Sequence, residues 1–206
     1  MSRFEYVFVD IDTQHDFMDP GGKLYVPGAE EIVPNLRRLV STASACRIPL
    51  LSSADNHAPD DPEFRQFPPH CVRGTAGQRK LKETLLDHRL VVEPHDVISN
   101  PAALLSLHDQ VVFHKTTFDV FSNPNFARLI DAIEVDRFIV FGVASDYCVR
   151  AAALGLLHRD GRVAIVSDAV RAVSRETEAQ AREVLRAAGA DWWTTEQVIE
   201  RAGRPA

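Results

Sequence analysis

The sequence predicts an α/β protein with three layers (α/β/α), in which helices cover both faces of a mainly parallel, six-stranded sheet. Apolar runs of strand length, rich in Val and Ile, recur along the chain, and segments with apolar residues at helical spacing separate them. Strands that alternate with helices form right-handed βαβ units, which require a parallel sheet. At 206 residues the chain is long enough for one domain with a substantial core and short for two. We therefore expect residues 1–206 to form a single domain.

Each predicted element rests on its own pattern. The predicted strands are buried apolar runs at residues 6–11, 48–53, 111–114, 137–141, 162–166 and 191–194. The predicted helices show a 3.6-residue apolar period at residues 30–45, 125–133, 146–159 and 175–188. Residues 55–77 break this rhythm, because they contain four Pro and two Gly and no regular pattern. A loop of that length in a compact domain usually has a function.

Composition excludes several classes of protein. The hydrophobic content of 45% and charged content of 25% are ordinary for a soluble domain. A net charge of -6 argues against binding to nucleic acid or to an anionic membrane surface. The sequence has no apolar stretch of membrane-spanning length and no signal-peptide pattern. Its three Cys are irregularly spaced, which does not suggest a disulfide framework, so we expect a cytoplasmic protein.

Chemically capable side chains follow four of the predicted strands. Ligands of open α/β sheets bind beyond the carboxyl ends of the strands, so these side chains are expected to meet at one edge. They are Asp10, Asp12, Gln14 and Asp16 after the first strand, Asp55 and His57 after the second, Lys115 after the third and Cys148 after the fourth.

Cys148 stands where a polar turn leads into an Ala- and Leu-rich helix. Ser145 or Asp146 is a suitable N-cap residue for that helix. A thiol at a helix N-terminus is expected to have a lowered pKa, and the neighbouring N–H groups can hold an oxyanion. A lone Cys is more often a core residue, so the interpretation depends on the other segments.

Asp12, Lys115 and Cys148 would form a workable set for acyl transfer. Asp12 could take the thiol proton and later deliver it to a leaving amine, while Lys115 stabilises the thiolate. Cys148 would attack an amide carbonyl and form a thioester, which water then hydrolyses. The plainer alternatives are a turn-capping role for Asp12 and a surface position for Lys115.

A second cluster has the chemistry of a metal site. Asp55 and His57 are two residues apart just past a strand, so an extended backbone points both side chains the same way. His70 follows Pro68 and Pro69, which stiffen its approach. One carboxylate and two imidazoles suit a single divalent ion and leave positions open. Cys71 is interpreted as structural.

Together these motifs resemble the cysteine hydrolases of the isochorismatase-like superfamily, and most closely the nicotinamidases. The resemblance runs over nearly the whole chain. Its motifs are Asp12-Thr-Gln14-His-Asp16-Phe17, Asp55-Asn-His57, Pro-Pro-His70-Cys-Val-Arg-Gly-Thr-Ala-Gly77, Lys115 and Gly142-Val-Ala-Ser-Asp-Tyr-Cys148-Val.

The resemblance implies the Rossmann-like fold of these hydrolases, cleavage of nicotinamide to nicotinate and ammonia, and one divalent metal ion (Zn, Fe or Mn) that holds the pyridine nitrogen. It implies a small-molecule amide as substrate. Independently of the resemblance, we expect a homo-oligomer and, from the net charge, no nucleic-acid or membrane partner. The resemblance also implies a cis peptide before Ala144. The implied residues are Asp12, Lys115 and Cys148 as the triad, Ala144 and Cys148 as oxyanion N–H donors, Asp55, His57 and His70 as metal ligands, and Phe17, Phe67 and Phe118 as walls for the substrate ring.

Departures from the family pattern leave the substrate open. Asn56 stands where an aromatic residue is usual, and Phe67 where Trp is common. A carbamoyl or maleamate-type amide therefore remains an alternative substrate, and a binding protein without turnover is a further alternative. A more distant alternative is a magnesium-dependent phosphatase of the haloacid dehalogenase type, because Asp10-Ile-Asp12-Thr13 matches its Asp-x-Asp-x-Thr pattern. Such an enzyme needs a later acidic pair, and Asp168 has no acidic neighbour to supply it.

Overall fold

A computed structural model describes residues 2–203 and contains a seven-stranded parallel sheet with the strand order β3-β4-β2-β1-β5-β6-β7. The strands are β1 (Ser2–Ile11), β2 (Leu50–Asp55), β3 (Arg89–Val92), β4 (Gln110–Lys115), β5 (Ile133–Val143), β6 (Val163–Arg171) and β7 (Asp191–Trp193). The α-helices are α1 (His15–Met18), α2 (Val33–Ala45), α3 (Leu104–Leu107), α4 (Pro124–Asp131), α5 (Cys148–Leu157), α6 (Arg175–Ala187) and α7 (Thr195–Ala202).

The α/β fold with a parallel sheet is confirmed, but the sheet has seven strands rather than six. The additional strand, β3, is four residues long and pairs only with β4 at the edge of the sheet. Only one of its residues is buried, so it lacks the long apolar run that marks a central parallel strand.

Helices pack on both faces of the sheet, as the alternation of strands and helices predicts. Side chains of β1 alternate between the faces, since Val7 and Val9 contact one apolar cluster and Phe8 the other. The first cluster includes buried residues of α4, α5 and α6, and the second includes those of α2 and α7. Among the described residues, none of the helices is both long and apolar enough to cross a membrane.

The strand order places a crevice at the carboxyl end of β1. The chain leaves β1 toward β2 on one side and later returns to β5 on the other side. Such a switch point leaves room for a ligand between the two connections. Gly142 brings the end of β5 very close to β1, because a Cβ at this position would lie 2.1 Å from the carbonyl oxygen of Ile11. The turn before α5 therefore lies beside the segment that follows β1.

The long segment after β2 is bridged internally and is joined at its far end to the residues that follow β1. A parallel bridge joins His57 to Val72, and an antiparallel bridge joins Gln14 to Lys80. The Lys80 ammonium is buried, lies 2.9 Å from Oδ2 of Asp10 and donates to the carbonyl of Ser53 at 3.0 Å. These contacts hold the segment over the carboxyl ends of the strands.

Candidate active site

A cavity of about 120 Å³ opens at the carboxyl ends of the strands. It contains side chains from both predicted clusters, together with apolar residues from several loops. The lining residues include Asp55, His70 and Cys148, Glu63, the three predicted aromatic side chains Phe17, Phe67 and Phe118, and Leu24, Val26, Tyr147 and Val173.

A buried ammonium joins two carboxylates beneath this cavity. Nζ of Lys115 lies 2.7 Å from Oδ2 of Asp12 and 2.5 Å from Oδ1 of Asp55. Lys115 and Asp55 are register partners at the ends of β4 and β2, which explains why their side chains lie side by side. All three side chains are almost fully buried. Burial alone would lower the pKa of Lys115, but the two carboxylates raise it well above its usual value, so the ammonium stays charged.

Asp12 lies directly after β1 in the left-handed backbone region, with φ of 49°. Its Oδ1 accepts a hydrogen bond from the hydroxyl of Ser53 at 2.6 Å. Burial raises the pKa of Asp12, and Lys115 partly offsets this effect. A buried carboxylate with a raised pKa is suited to accepting and returning a proton.

Cys148 is the first residue of α5 and is partly exposed to the cavity. The prediction that Ser145 or Asp146 caps this helix is wrong. The N-cap position is Tyr147, which makes no side-chain capping bond. Both oxygens of Asp146 instead accept the N–H of Val173 at 3.1 Å, so this carboxylate ties the turn to the loop after β6.

The expected lowering of the pKa of Cys148 is also wrong. Burial raises the pKa of this thiol, Lys115 lowers it, and the carboxylates of Asp12 and Asp55 raise it again, so that it stands well above its ordinary value. The single ammonium of Lys115 does not outweigh the burial of the thiol and the two neighbouring carboxylates. The resting thiol is therefore protonated and needs a base.

Two main-chain N–H groups beside the thiol are free to bind an oxyanion. The peptide between Val143 and Ala144 is cis. Among the described residues, the N–H groups of Ala144 and Cys148 find no hydrogen-bond acceptor. Ala144 and Cys148 both line the cavity.

The three predicted metal ligands converge from two segments. Nε2 of His57 and Nε2 of His70 each lie 3.6 Å from Oδ2 of Asp55. The potential ligand atoms of the three residues all lie within 4.8 Å of one another, and all three residues are buried. This donor set suits a single divalent ion.

The other nitrogen of each imidazole ring lies close to an oxygen atom. Nδ1 of His70 lies 2.8 Å from the carbonyl oxygen of Pro68, which can only accept, so Nδ1 carries the proton. Nδ1 of His57 lies 3.1 Å from Oδ2 of Asp61 but is not aligned for a hydrogen bond. With the proton of His70 on Nδ1, its Nε2 keeps the lone pair that a metal ligand requires.

Glu63 is a candidate ligand that the sequence analysis missed. Its Oε2 lies 3.8 Å from Nε2 of His57, and neither atom has a hydrogen-bond partner among the described residues, although both are buried. Unpaired buried polar atoms are costly, and a cation between them would remove that cost. Glu63 lies on a short 3-10 helix (Pro62–Arg65) that is capped by Asp61.

The three predicted aromatic residues line the cavity, with different degrees of exposure. The ring of Phe17 lies 5.4 Å from that of His70, and the ring of Phe67 lies 6.5 Å from it. Phe118 is half exposed at the mouth. Leu24, Val26 and Val173 were not predicted, because no motif includes them, and Tyr147 was part of the Cys148 motif but had no predicted role.

Asn56, the main departure from the family motif, points away from the cavity-facing ligands. Its amide donates to Oε1 of Glu93 at 3.2 Å and accepts from Nε of Arg73 at 3.3 Å. The substitution therefore changes the contacts behind the metal ligands and not the cavity wall.

The phosphatase alternative fails on the position of Asp10. This carboxylate is completely buried, pairs with Lys80 and accepts hydrogen bonds from Thr13 and Ser52. It does not line the cavity, so it is not placed to act as a nucleophile.

Known proteins with similar sequences and structures share this fold. The similarity identifies this protein as an enzyme of the amidohydrolase class. The chain belongs to the isochorismatase family, because the isochorismatase domain model matches residues 6–95 and 98–197.

Three known proteins illustrate the range of this family. The nicotinamidase of Saccharomyces cerevisiae is 26% identical over 213 residues, covering 86% of this chain and 94% of the relative. The maleamate amidohydrolase of Pseudomonas putida is 25% identical over 160 residues, covering 78% and 69%. The crystal structure of the pyrazinamidase of Pyrococcus horikoshii in complex with zinc has a TM-score of 0.74 at 25% identity, covering 93% and 99%.

Proposed function

We propose that this protein is a metal-assisted cysteine amidohydrolase that converts nicotinamide to nicotinate and ammonia in the cytoplasm. The observation that carries the proposal is the buried cluster of Asp12, Lys115 and Asp55, which joins a cavity lined by Asp55, His70 and Cys148 and lies close enough to shift the pKa of the Cys148 thiol. The similarity to a nicotinamidase and to a zinc-bound pyrazinamidase supports this choice of substrate.

The first half of the reaction transfers an acyl group to the thiol. Asp12 takes the proton of the Cys148 thiol, and the sulfur attacks the amide carbon. The negative charge that develops on the amide oxygen is held by the N–H groups of Ala144 and Cys148. Protonated Asp12 then donates its proton to the departing nitrogen, and ammonia leaves a thioester on Cys148.

The second half returns the enzyme to its resting state. Asp12 accepts a proton from a water molecule, whose oxygen attacks the thioester carbon. The C–S bond breaks, the acid product leaves, and the thiol regains its proton. Nζ of Lys115 lies 2.7 Å from Oδ2 of Asp12. Throughout the cycle this ammonium offsets the negative charge that moves between Asp12 and Cys148.

The residues present fit a resident divalent ion. Asp55, His57 and His70 would hold it, and Glu63 would supply a fourth ligand atom, an oxygen that otherwise lacks a partner among the described residues. When bound, the ion offers a Lewis-acidic point for a ring nitrogen of the substrate and orients the amide toward Cys148. Zn, Fe and Mn all suit carboxylate and imidazole ligands.

The walls of the cavity favour an uncharged substrate. Its described lining contains two acidic side chains, Asp55 and Glu63, and no Lys or Arg. The other walls are mostly apolar. A substrate carboxylate would therefore have no positively charged partner in the cavity except the metal ion, and burying an unpaired charge is unfavourable. This observation favours nicotinamide over the maleamate-type alternative.

Ammonia release from a small panel of amides tests the proposal. We expect turnover of nicotinamide and pyrazinamide, loss of turnover after chelation, and recovery when the metal is restored. Benzamide is the matched control, because it keeps the ring and the amide but lacks a ring nitrogen. It should be a much poorer substrate. Faster turnover of maleamate or of an N-carbamoyl amino acid than of nicotinamide would contradict the assignment.

A further inference from the structure

The hydroxyl of Ser53 makes one of the shortest hydrogen bonds in the centre of the protein. It donates to Oδ1 of Asp12 at 2.6 Å, and both side chains are completely buried. Hydrogen bonds to a buried carboxylate are among the stronger ones in proteins. Ser53 does not line the cavity, so it acts on Asp12 and not on a bound ligand.

This bond occupies one oxygen of Asp12 and leaves the other for Lys115. With Oδ1 held by Ser53, Oδ2 remains for the ammonium of Lys115 at 2.7 Å. The main chain of Ser53 is itself fixed, because its carbonyl accepts a hydrogen bond from the buried ammonium of Lys80 at 3.0 Å. The orientation of the Asp12 carboxylate is therefore fixed by a residue of β2, the strand that lies beside β1 in the sheet.

We infer that Ser53 is a positioning residue that orients the Asp12 carboxylate for proton transfer with Cys148. The inference rests on the proposed role of Asp12 as the base. Without the hydroxyl, the carboxylate can rotate about its Cβ–Cγ bond, and Oδ2 no longer has one fixed place relative to the thiol. Proton transfer depends on hydrogen-bond reach and alignment, so a small rotation slows it.

Ser52 provides a closely matched control one residue earlier. It is equally buried, but neighbouring residues of a strand point to opposite faces of the sheet. Its hydroxyl donates to Oδ2 of Asp10 at 3.1 Å and accepts from the amide of Gln110 at 2.8 Å. Ser52→Ala and Ser53→Ala thus remove the same group from the same strand, and only Ser53→Ala removes it from Asp12.

The test combines crystal structures with steady-state kinetics on nicotinamide for the metal-loaded enzyme. Ser53→Ala should lower kcat about 10- to 100-fold, as expected for a misplaced catalytic group, with KM and metal content unchanged. In its structure the Asp12 carboxylate should be rotated or occupy two orientations. Ser52→Ala should keep the wild-type kcat and an unmoved Asp12. Ser53→Thr, which retains a hydroxyl, should recover most of the lost kcat.

Two results would overturn the inference. One is an unmoved Asp12 in Ser53→Ala together with a wild-type kcat. The other is an equal loss of kcat in Ser52→Ala, which would mean that any lost buried hydroxyl has this effect. If the wild-type enzyme hydrolysed none of the amides, the proposed function would fail, while the two crystal structures would still show whether Ser53 fixes Asp12.

Discussion

Nζ of Lys115 lies 2.7 Å from Oδ2 of Asp12, with both side chains fully buried. Such a pair costs much desolvation free energy, and removing one partner leaves an uncompensated charge. The pair is therefore expected to matter more for chemistry than for stability.

Replacement of the ammonium should disable the enzyme. We expect Lys115→Met to lower kcat/KM by at least about 10³-fold, because the members of a catalytic unit act together. The pKa of Asp12, which burial raises and Lys115 lowers, should rise further. Steady-state kinetics with circular dichroism and metal analysis as controls measure this effect. A folded, metal-loaded variant with near-normal turnover would contradict the assigned role.

The raised pKa of Cys148 predicts how its alkylation depends on pH. In metal-free protein, burial raises the pKa of this thiol well above its usual value, so the thiolate fraction is small at pH 7 and grows as the pH rises. Iodoacetamide should therefore label Cys148 slowly at neutral pH and faster in alkaline solution. A rate that is already maximal below pH 7 would show a preformed thiolate.

The alkylation experiment needs a background without competing thiols. Cys46 follows the end of helix α2 and is exposed, so it would compete for the reagent. Cys46→Ser removes this site. Cys71 is fully buried, and burial raises its pKa, so it should stay unlabelled in the folded protein. Adding Cys148→Ala to Cys46→Ser should abolish labelling.

Asp61 is expected to support the metal site through His57. Its Oδ2 lies 3.1 Å from Nδ1 of this ring. Loss of a carboxylate in this position typically lowers metal affinity about 10- to 100-fold, and we expect that loss for Asp61→Asn. Competition with a chelator measures it. Asp60→Asn removes the same charge from an exposed neighbour and should leave the affinity unchanged. Equal affinities for the two variants would contradict the role of Asp61.

The buried pair of Lys80 and Asp10 is expected to be a structural element. Its atoms lie 2.9 Å apart in the interior. Lys80→Met should lower the free energy of unfolding by about 3–5 kcal/mol, because Asp10 is left buried without its partner. Adding Asp10→Leu should recover much of that loss. Lys82→Met, at an exposed position, should change stability by less than about 0.5 kcal/mol in urea unfolding.

The site residues that follow a strand could be predicted from the sequence, because the apolar pattern shows where each strand ends. Parallel strands end at a common edge, so the order of residues alone assigns Asp12, Asp55, Lys115 and Cys148 to one site. The alternation within β2 also explains why Asp55 points toward Lys115.

Features without a period or a motif were not predictable. The four-residue edge strand β3 has only one buried position. Asp61 and Glu63 lie in an irregular segment, and only the folded chain brings them to His57. The pKa of Cys148 depends on burial and on two carboxylates from other strands, which the local sequence does not describe. The single-domain and homo-oligomer expectations stay predictions.

Cys148 is expected to carry the acyl group of the substrate as a thioester during turnover. Mass spectrometry of wild-type enzyme, quenched in acid during turnover of nicotinamide, tests it directly. We expect a nicotinoyl adduct on the peptide that contains Cys148, absent without substrate and absent in Cys148→Ala, which should also release no ammonia. Sustained ammonia release by Cys148→Ala would show that the reaction does not pass through a thioester on this residue.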